Sequence, residues 1–204
     1  MTELTLLLTG TLTGLGLIVA IGAQNAYLLR QGLRHQQVGP LIVFCVLADA
    51  TLIGLAVLGI GALVATWPTF LTIARWGGGI FVIGYGLQAA WRAMHPGETL
   101  EADDAARGTS LGRSLLTMAA LTFLNPHVYL DVTLLGTIAN THGLQDRWWF
   151  YAGTVLGSTV WFTLLGLGSR ALAPFFARPR SWQVLDALIA IVMVSIGLGL
   201  ILGS

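Results

Sequence analysis

Long apolar runs divide this sequence, and they limit its fold more than any other feature. A helix that crosses a bilayer needs about 20 mostly apolar residues, within roughly 17–25 and longer if tilted. Six runs reach that length: Leu4–Leu29, Pro40–Ala65, Phe70–Trp91, Leu115–Ala139, Trp148–Phe176 and Val184–Leu202. The last is the shortest, so a five-span count is the alternative. In lipid only helices and closed barrels satisfy every backbone donor and acceptor. Barrel strands alternate apolar and polar residues, whereas these runs are continuously apolar. The expected fold class is all-α, a polytopic membrane helical bundle of about six spans.

Composition supports that class. Only 9% of residues are charged and 55% are hydrophobic, with a mean hydropathy of +0.80. A soluble domain carries about 25% charged residues, so this chain could not cover a water-facing surface. Ten basic residues against nine acidic ones give no reason to expect a nucleic-acid partner. Every basic residue is Arg. The lone Cys45 lies within an apolar run, so no intramolecular disulfide can form. The start, Met1-Thr2-Glu3, has no Arg before Arg30. A secretory signal needs a basic leading region, so the first run is read as a retained span.

Between runs three and four lies an aqueous segment, His95–Arg113, which holds Glu98, Glu101, Asp103, Asp104 and Arg107. It divides one transmembrane domain, 1–204, into a repeat of about 1–93, a linker of about 94–113 and a repeat of about 114–204. The second and third runs are joined by a tight turn at Ala65–Thr69. Eight arginines (Arg30, Arg34, Arg92, Arg107, Arg113, Arg170, Arg178 and Arg180) fall in the odd connections, against Arg75 and Arg147 in the even ones. The positive-inside rule then puts the odd connections in the cytoplasm and both termini outside. Trp67, Trp76, Trp148 and Trp149 sit at outer span ends, and Trp91 and Trp182 at inner ends, as aromatic belts would. Gly10/Gly14, Gly153/Gly157 and Gly199/Gly203 have helix-packing spacing, which predicts a tight bundle and allows a homodimer face.

Two segments interrupt the apolar pattern at corresponding places in the halves. One is Gly22–Gly32, which holds Gln24, Asn25 and Tyr27; the other is Leu124–Asp131, which holds Asn125, Pro126, His127 and Tyr129. Tyr27-Leu28 and Tyr129-Leu130 are 102 residues apart, half the chain length. Three spans per half make the second half inverted, and interrupted helices in corresponding positions of inverted repeats point to a midplane site. Pro126 breaks or kinks span four and frees carbonyls as acceptors for a substrate cation. Gly22 permits the same loosening in span one. Half-helix N-termini suit a carboxylate. A purely structural reading of these amides, as glue between helices, stays open.

Two acids lie within the spans. Asp49 sits in Phe44–Ile53, and Asp131 follows His127 by one helical turn, on the same face. A carboxylate at the bilayer centre costs at least about 2.5–3.5 kcal/mol, so it normally faces a cavity or a partner. No basic residue is expected at similar depth. Protons, an inorganic cation or a cationic substrate would then compensate the pair. His127 could relay protons. The structural alternative is a protonated or hydrogen-bonded Asp. Asp186, near the start of span six, has the weaker claim. Neither a cofactor nor a metal is expected. No His-Glu-x-x-His, Gly-x-Ser-x-Gly, Walker or clustered Cys/His signature occurs, so the chain is not read as an enzyme. Gly77-Gly78-Gly79 lacks a following Lys, and close packing explains it better. Without an ATP-binding segment, any pumping draws on ion gradients.

These segments, GAQNAYLLRQG at Gly22–Gly32, Ala48-Asp49, Arg75-Trp76-Gly77-Gly78 and NPHVYLD at Asn125–Asp131, resemble the lysine/arginine exporter family of bacterial amino-acid exporters. They occur in family order across about the whole chain, with Ala23 where the family pattern usually has Pro. The resemblance implies a six-span fold and export of L-arginine or L-lysine through the inner membrane, driven by the proton-motive force. On that reading the substrate and proton site comprises Asp49, Asp131, Gln24, Asn25, Asn125, His127, Tyr27 and Tyr129, with helix breaks at Gly22 and Pro126. The partners are a cationic amino acid, protons and the bilayer. Export of neutral amino acids is the alternative within the class; a channel or structural membrane subunit is the alternative outside it.

Overall fold

The computed structural model describes residues 2–19, 22–59, 68–95, 110–171, 176 and 179–202. The Ala65–Thr69 turn (except Pro68 and Thr69), most of the His95–Arg113 linker, Trp67, Arg178 and Gly203 lie outside the described residues. The described elements are helices: α1 Glu3–Ile18, α2 Ala23–Leu33, α3 Val38–Val57, α4 Pro68–Met94, α5 Leu111–Phe123, α6 Pro126–Asn140, α7 Arg147–Gly168 and α8 Pro179–Leu202. There is no strand among the described residues.

Length and apolarity suffice for a membrane crossing in α3, in α7 with its extension to Ala171, and in Arg180–Leu202 of α8. The pair α1 and α2, bent by 85°, meets the same measure together. α5 is apolar but has only 13 residues before its break; α4 has 27. Outward-facing side chains are those that lipid solvates: Leu12 is 70% exposed, Leu47 61%, Ile80 62% and Ile191 64%. A water-soluble surface would not tolerate so continuous an apolar face. Hydroxyls in the spans bond to carbonyls one turn back, as in Thr51 to Leu47 at 2.7 Å and Thr159 to Val155 at 2.8 Å. Each thereby carries its polar group into lipid without an unmet donor.

Small residues set the helix pairing. α1 packs chiefly on α7 and α4 chiefly on α8. A Cβ on Gly10 would overlap the Phe150 carbonyl, and one on Gly153 would overlap that of Leu7. Gly14 faces Thr154 and Gly157 faces Thr11 in the same contact. These two glycine pairs therefore close a contact inside one chain, the tight helix packing that their spacing predicts. Thr11 Oγ1 reinforces the contact with a 3.0 Å bond to the Gly153 carbonyl. The Gly77–Gly79 cluster serves packing as well: Gly78 abuts the Leu124 backbone, and Gly79 abuts Gly197 and Ile201.

Both predicted interruptions are present as breaks between two helices. Gly22, extended, is the N-cap of α2. Asn125 is the N-cap of α6, and its side chain accepts from the His127 N–H at 3.1 Å. Pro126 is the first residue of α6, where a missing N–H leaves no bond unmade. Its fixed φ therefore starts the second helix as much as it ends the first.

Candidate functional site

The two breaks meet at one cavity of about 370 Å³, within the 300–1,000 Å³ typical of small-ligand sites. Gly16, Leu17 and Ile18 close the end of α1, and Gly22, Ala23, Gln24 and Asn25 open α2. Asn125, His127, Val128, Asp131, Val132 and Leu135 come from the start of α6. Asp49 and Ile53 of α3, Phe162 of α7 and Ile196 of α8 complete the wall.

Six of the eight expected site residues are brought together there: Asp49, Asp131, Gln24, Asn25, Asn125 and His127. Ser158, wholly buried on α7, donates a 2.7 Å bond to Asp49 Oδ2. Asp131 lies one turn beyond His127 on the cavity face of α6. Gln24 also lines the cavity, its side chain within hydrogen-bonding reach of Cys45 on α3. Asn25 differs: Nδ2 donates to the Ile18 carbonyl at 2.8 Å, and Oδ1 accepts from Trp161 Nε1 at 3.3 Å.

Tyr27 and Tyr129 stand elsewhere. Tyr27 is buried in the core, its ring edge-on to Tyr85 with centroids 6.0 Å apart. Two residues beyond Asn25 a helix has turned about 200°, which carries Tyr27 to another face. Tyr129 donates through its hydroxyl to the Phe123 carbonyl at 2.8 Å. Ile18 and Phe123 are the last residues of α1 and α5. At each break, then, a side chain of the second half-helix bonds back to the final carbonyl of the first. These two carbonyls are met by the protein's own donors.

A basic residue is nevertheless buried elsewhere in the bundle, further along α2 than the cavity. Arg30 is 4% exposed and ion-paired with Asp186, itself 4% exposed. Arg30 was counted with the first connection, but α2 continues through it to Leu33. Ser158 and Phe162 were missed too. A Ser beside Gly157 and a Phe in an apolar run carry no signal of their own in a membrane segment.

Chemically the cavity has two characters. The first turns of α2 and α6 both line it, and helix N-termini present unpaired N–H groups and partial positive charge. Opposite in sign are the carboxylates of Asp49 and Asp131. The set accommodates a ligand that bears both a carboxylate and cationic nitrogen.

Comparison with known proteins gives the family. The sequence model described as "LysE type translocator" matches residues 15–204. The chain belongs to the LysE-type translocator family. A protein of Mycobacterium bovis, provisionally described as an amino-acid transporter, is 42% identical over 187 residues, covering 91% of this chain and 92% of the relative. The lysine exporter LysE of Corynebacterium diphtheriae is 33% identical over 215 residues, covering 92% and 94%. The arginine exporter ArgO of Salmonella enteritidis is 33% identical over 185 residues, covering 90% and 87%. No solved structure matches the chain. This LysE-type translocator is thus an integral membrane protein of an amino-acid exporter family, and its cavity lies where its interrupted helices meet.

Proposed function

We propose that this translocator exports the basic amino acids L-arginine and L-lysine from the cytoplasm across the bacterial inner membrane, driven by the proton-motive force. One observation carries the reading: a single cavity joins the N-terminal turns of two half-helices to the carboxylates of Asp49 and Asp131. A basic amino acid bears a carboxylate and two cationic nitrogens. The helix N-termini complement the first, and the two acids complement the others. Burial disfavours a charged carboxyl and a bound cation favours it, so substrate and proton compete for the same groups. The lysine and arginine exporters among the relatives support the same substrate class.

The helix contacts support two inverted repeats, about 1–93 and about 114–204. α1 and α2 pack on α7, while α5 and α6 pack on α3; α3 meets α7 and α4 meets α8. Exchanging the halves maps that pattern onto itself. Repeats of this kind alternate access around a fixed central site. The Arg asymmetry supports an orientation with both termini outside.

Reconstitution tests the reading. Proteoliposomes with an imposed pH gradient should accumulate labelled arginine above equilibration. Asp49→Asn should lower that rate about a hundredfold, the equivalent of roughly 3 kcal/mol for a lost charge contact in a buried site, while inserting normally. Normal arginine efflux from loaded cells carrying Asp49→Asn would overturn the assignment.

The second reading, a neutral substrate, draws on the Asp49–Ser158 bond, since a neutral hydroxyl partner also suits a carboxyl used for protons alone. Resistance of producing cells to canavanine, against resistance to homoserine or threonine, separates the two.

A further inference from the structure

The cavity does not include the most heavily charged buried cluster, which lies further along α2. Asp186 of α8 is ion-paired with Arg30 of α2. It also accepts from Nε and Nη2 of Arg92 of α4, both at 3.3 Å. The Arg30 guanidinium lies 5.8 Å from the Trp182 ring centroid, and that of Arg92 lies 5.7 Å from Tyr85. Tyr85 in turn meets Tyr27 edge-on.

Position relates this cluster to the cavity. Asn25 and Arg30 are five residues apart on α2, about 8 Å at 1.5 Å per residue. Ile196 and Asp186 are ten apart on α8, about 15 Å. Two helices that wall the cavity therefore converge on the cluster, and Tyr27 lies between the two levels of α2. The cluster also joins two otherwise separate packing units. α4 and α8 pack chiefly on each other, and α1 packs chiefly on α7. Contacts between these units run mainly through α2, α5 and α6.

A buried ion pair is seldom more stabilising than well-packed apolar residues in its place. It does have one property that apolar packing lacks. When water enters a parted ion pair, each partner regains hydration, whereas a parted apolar contact only exposes apolar surface. Such a contact suits a joint that opens and closes.

We propose that the Arg30–Asp186–Arg92 cluster, backed by the Tyr27–Tyr85 pair, is the closed gate between the cavity and the face of the bundle where α2 and α4 end. Loss of the Arg30–Asp186 contact releases α2 from the α4–α8 pair, within which Arg92 holds Asp186, and opens the cavity to that face. The gate rests on the transport reading only in taking the cavity as the translocation site, and its substrate is immaterial to the test.

The test is side-specific labelling of a cysteine in the cavity wall. Val128→Cys in a Cys45→Ser chain is reconstituted in vesicles of known orientation and treated with a charged, membrane-impermeant methanethiosulfonate. Asp186→Asn should raise the labelling rate about tenfold from the face where α2 and α4 end, the response to a population shift of about 1.4 kcal/mol, with no rise from the other face. Arg30→Gln should do the same, and Arg30→Lys, which keeps the charge, should stay near the parent rate. If Asp186→Asn does not give a monodisperse protein, Arg30→Gln carries the test alone. Unchanged labelling from that face, or an equal rise from both, overturns the gate. Because no substrate is present, a wrong substrate assignment leaves this result unaffected.

Discussion

Ser158 Oγ donates a 2.7 Å hydrogen bond to Asp49 Oδ2, joining α7 to α3 at the cavity wall. The bond fixes one carboxylate oxygen of a residue that lines the cavity. Hydrogen bonds to charged groups contribute about 1.5–3 kcal/mol. Ser158→Ala should therefore leave the protein folded and reduce arginine transport by about tenfold, measured as initial efflux from loaded vesicles. Equal rates in Ser158→Ala and parent would show that the bond does not orient Asp49 for transport.

The α1–α7 contact makes a prediction about stability alone. Gly153 has no room for a Cβ against the Leu7 backbone. Backbone on backbone cannot yield by a rotamer change, so Gly153→Val must separate the helices. A loss of about 3 kcal/mol is expected from such overpacking, seen as a lower midpoint in thermal unfolding followed by Trp fluorescence. Gly84, mid-helix in α4, has nothing within 4 Å of a built Cβ. Gly84→Ala should hold or raise the midpoint, since Ala exceeds Gly in helix preference by up to about 1 kcal/mol.

At the second break the cap carries the conformation. Asn125 accepts from the His127 N–H, and Pro126 forfeits no bond at the first helical position. Asn125→Ala should cost about 1 kcal/mol, the usual value of an N-cap side chain. Asn125→Asp restores the acceptor and should recover that stability. Pro126→Ala should change it by less than the loss of the cap, because the break does not depend on a missing N–H. Unfolding midpoints of the three variants in one detergent test the order.

Much of this site could be read directly from the residues. Polar groups and a Pro inside apolar runs have few structural explanations, so Gln24, Asn25, Asn125, His127, Asp49 and Asp131 stood out, and all six line one cavity. Tyr27 and Tyr129 were chosen for their matched spacing, but spacing says nothing about which side of a helix faces a cavity. Their rings lie against Tyr85 and over the α5 terminus instead. The buried cluster was hidden for another reason. Arg30-Gln31-Gly32-Leu33-Arg34 reads as a polar connection, and the acid that holds Arg30 inside is 156 residues away. No local pattern links them. The long-range pairings of the glycines are invisible in the same way: a pair four apart announces a close contact without naming the other side.

The two staples across the breaks give a last prediction, and they should not be equal. Tyr129 donates through its hydroxyl to the Phe123 carbonyl. Tyr129→Phe keeps the ring and removes only the hydroxyl, so it should cost about 1 kcal/mol, the net worth of one neutral hydrogen bond. Asn25 is 7% exposed and bonds at both ends, to the Ile18 carbonyl and from the Trp161 indole. Asn25→Ala leaves both partners without their bond, and each unmet buried group costs about 1–3 kcal/mol. Its total should therefore exceed that of Tyr129→Phe at least twofold. Asn25 also lines the cavity, so its variant should lose transport beyond what lost stability explains, whereas Tyr129→Phe should lose little transport per folded molecule. Equal destabilisation of the two, or a transport defect confined to Tyr129→Phe, would reverse the roles assigned here to the breaks.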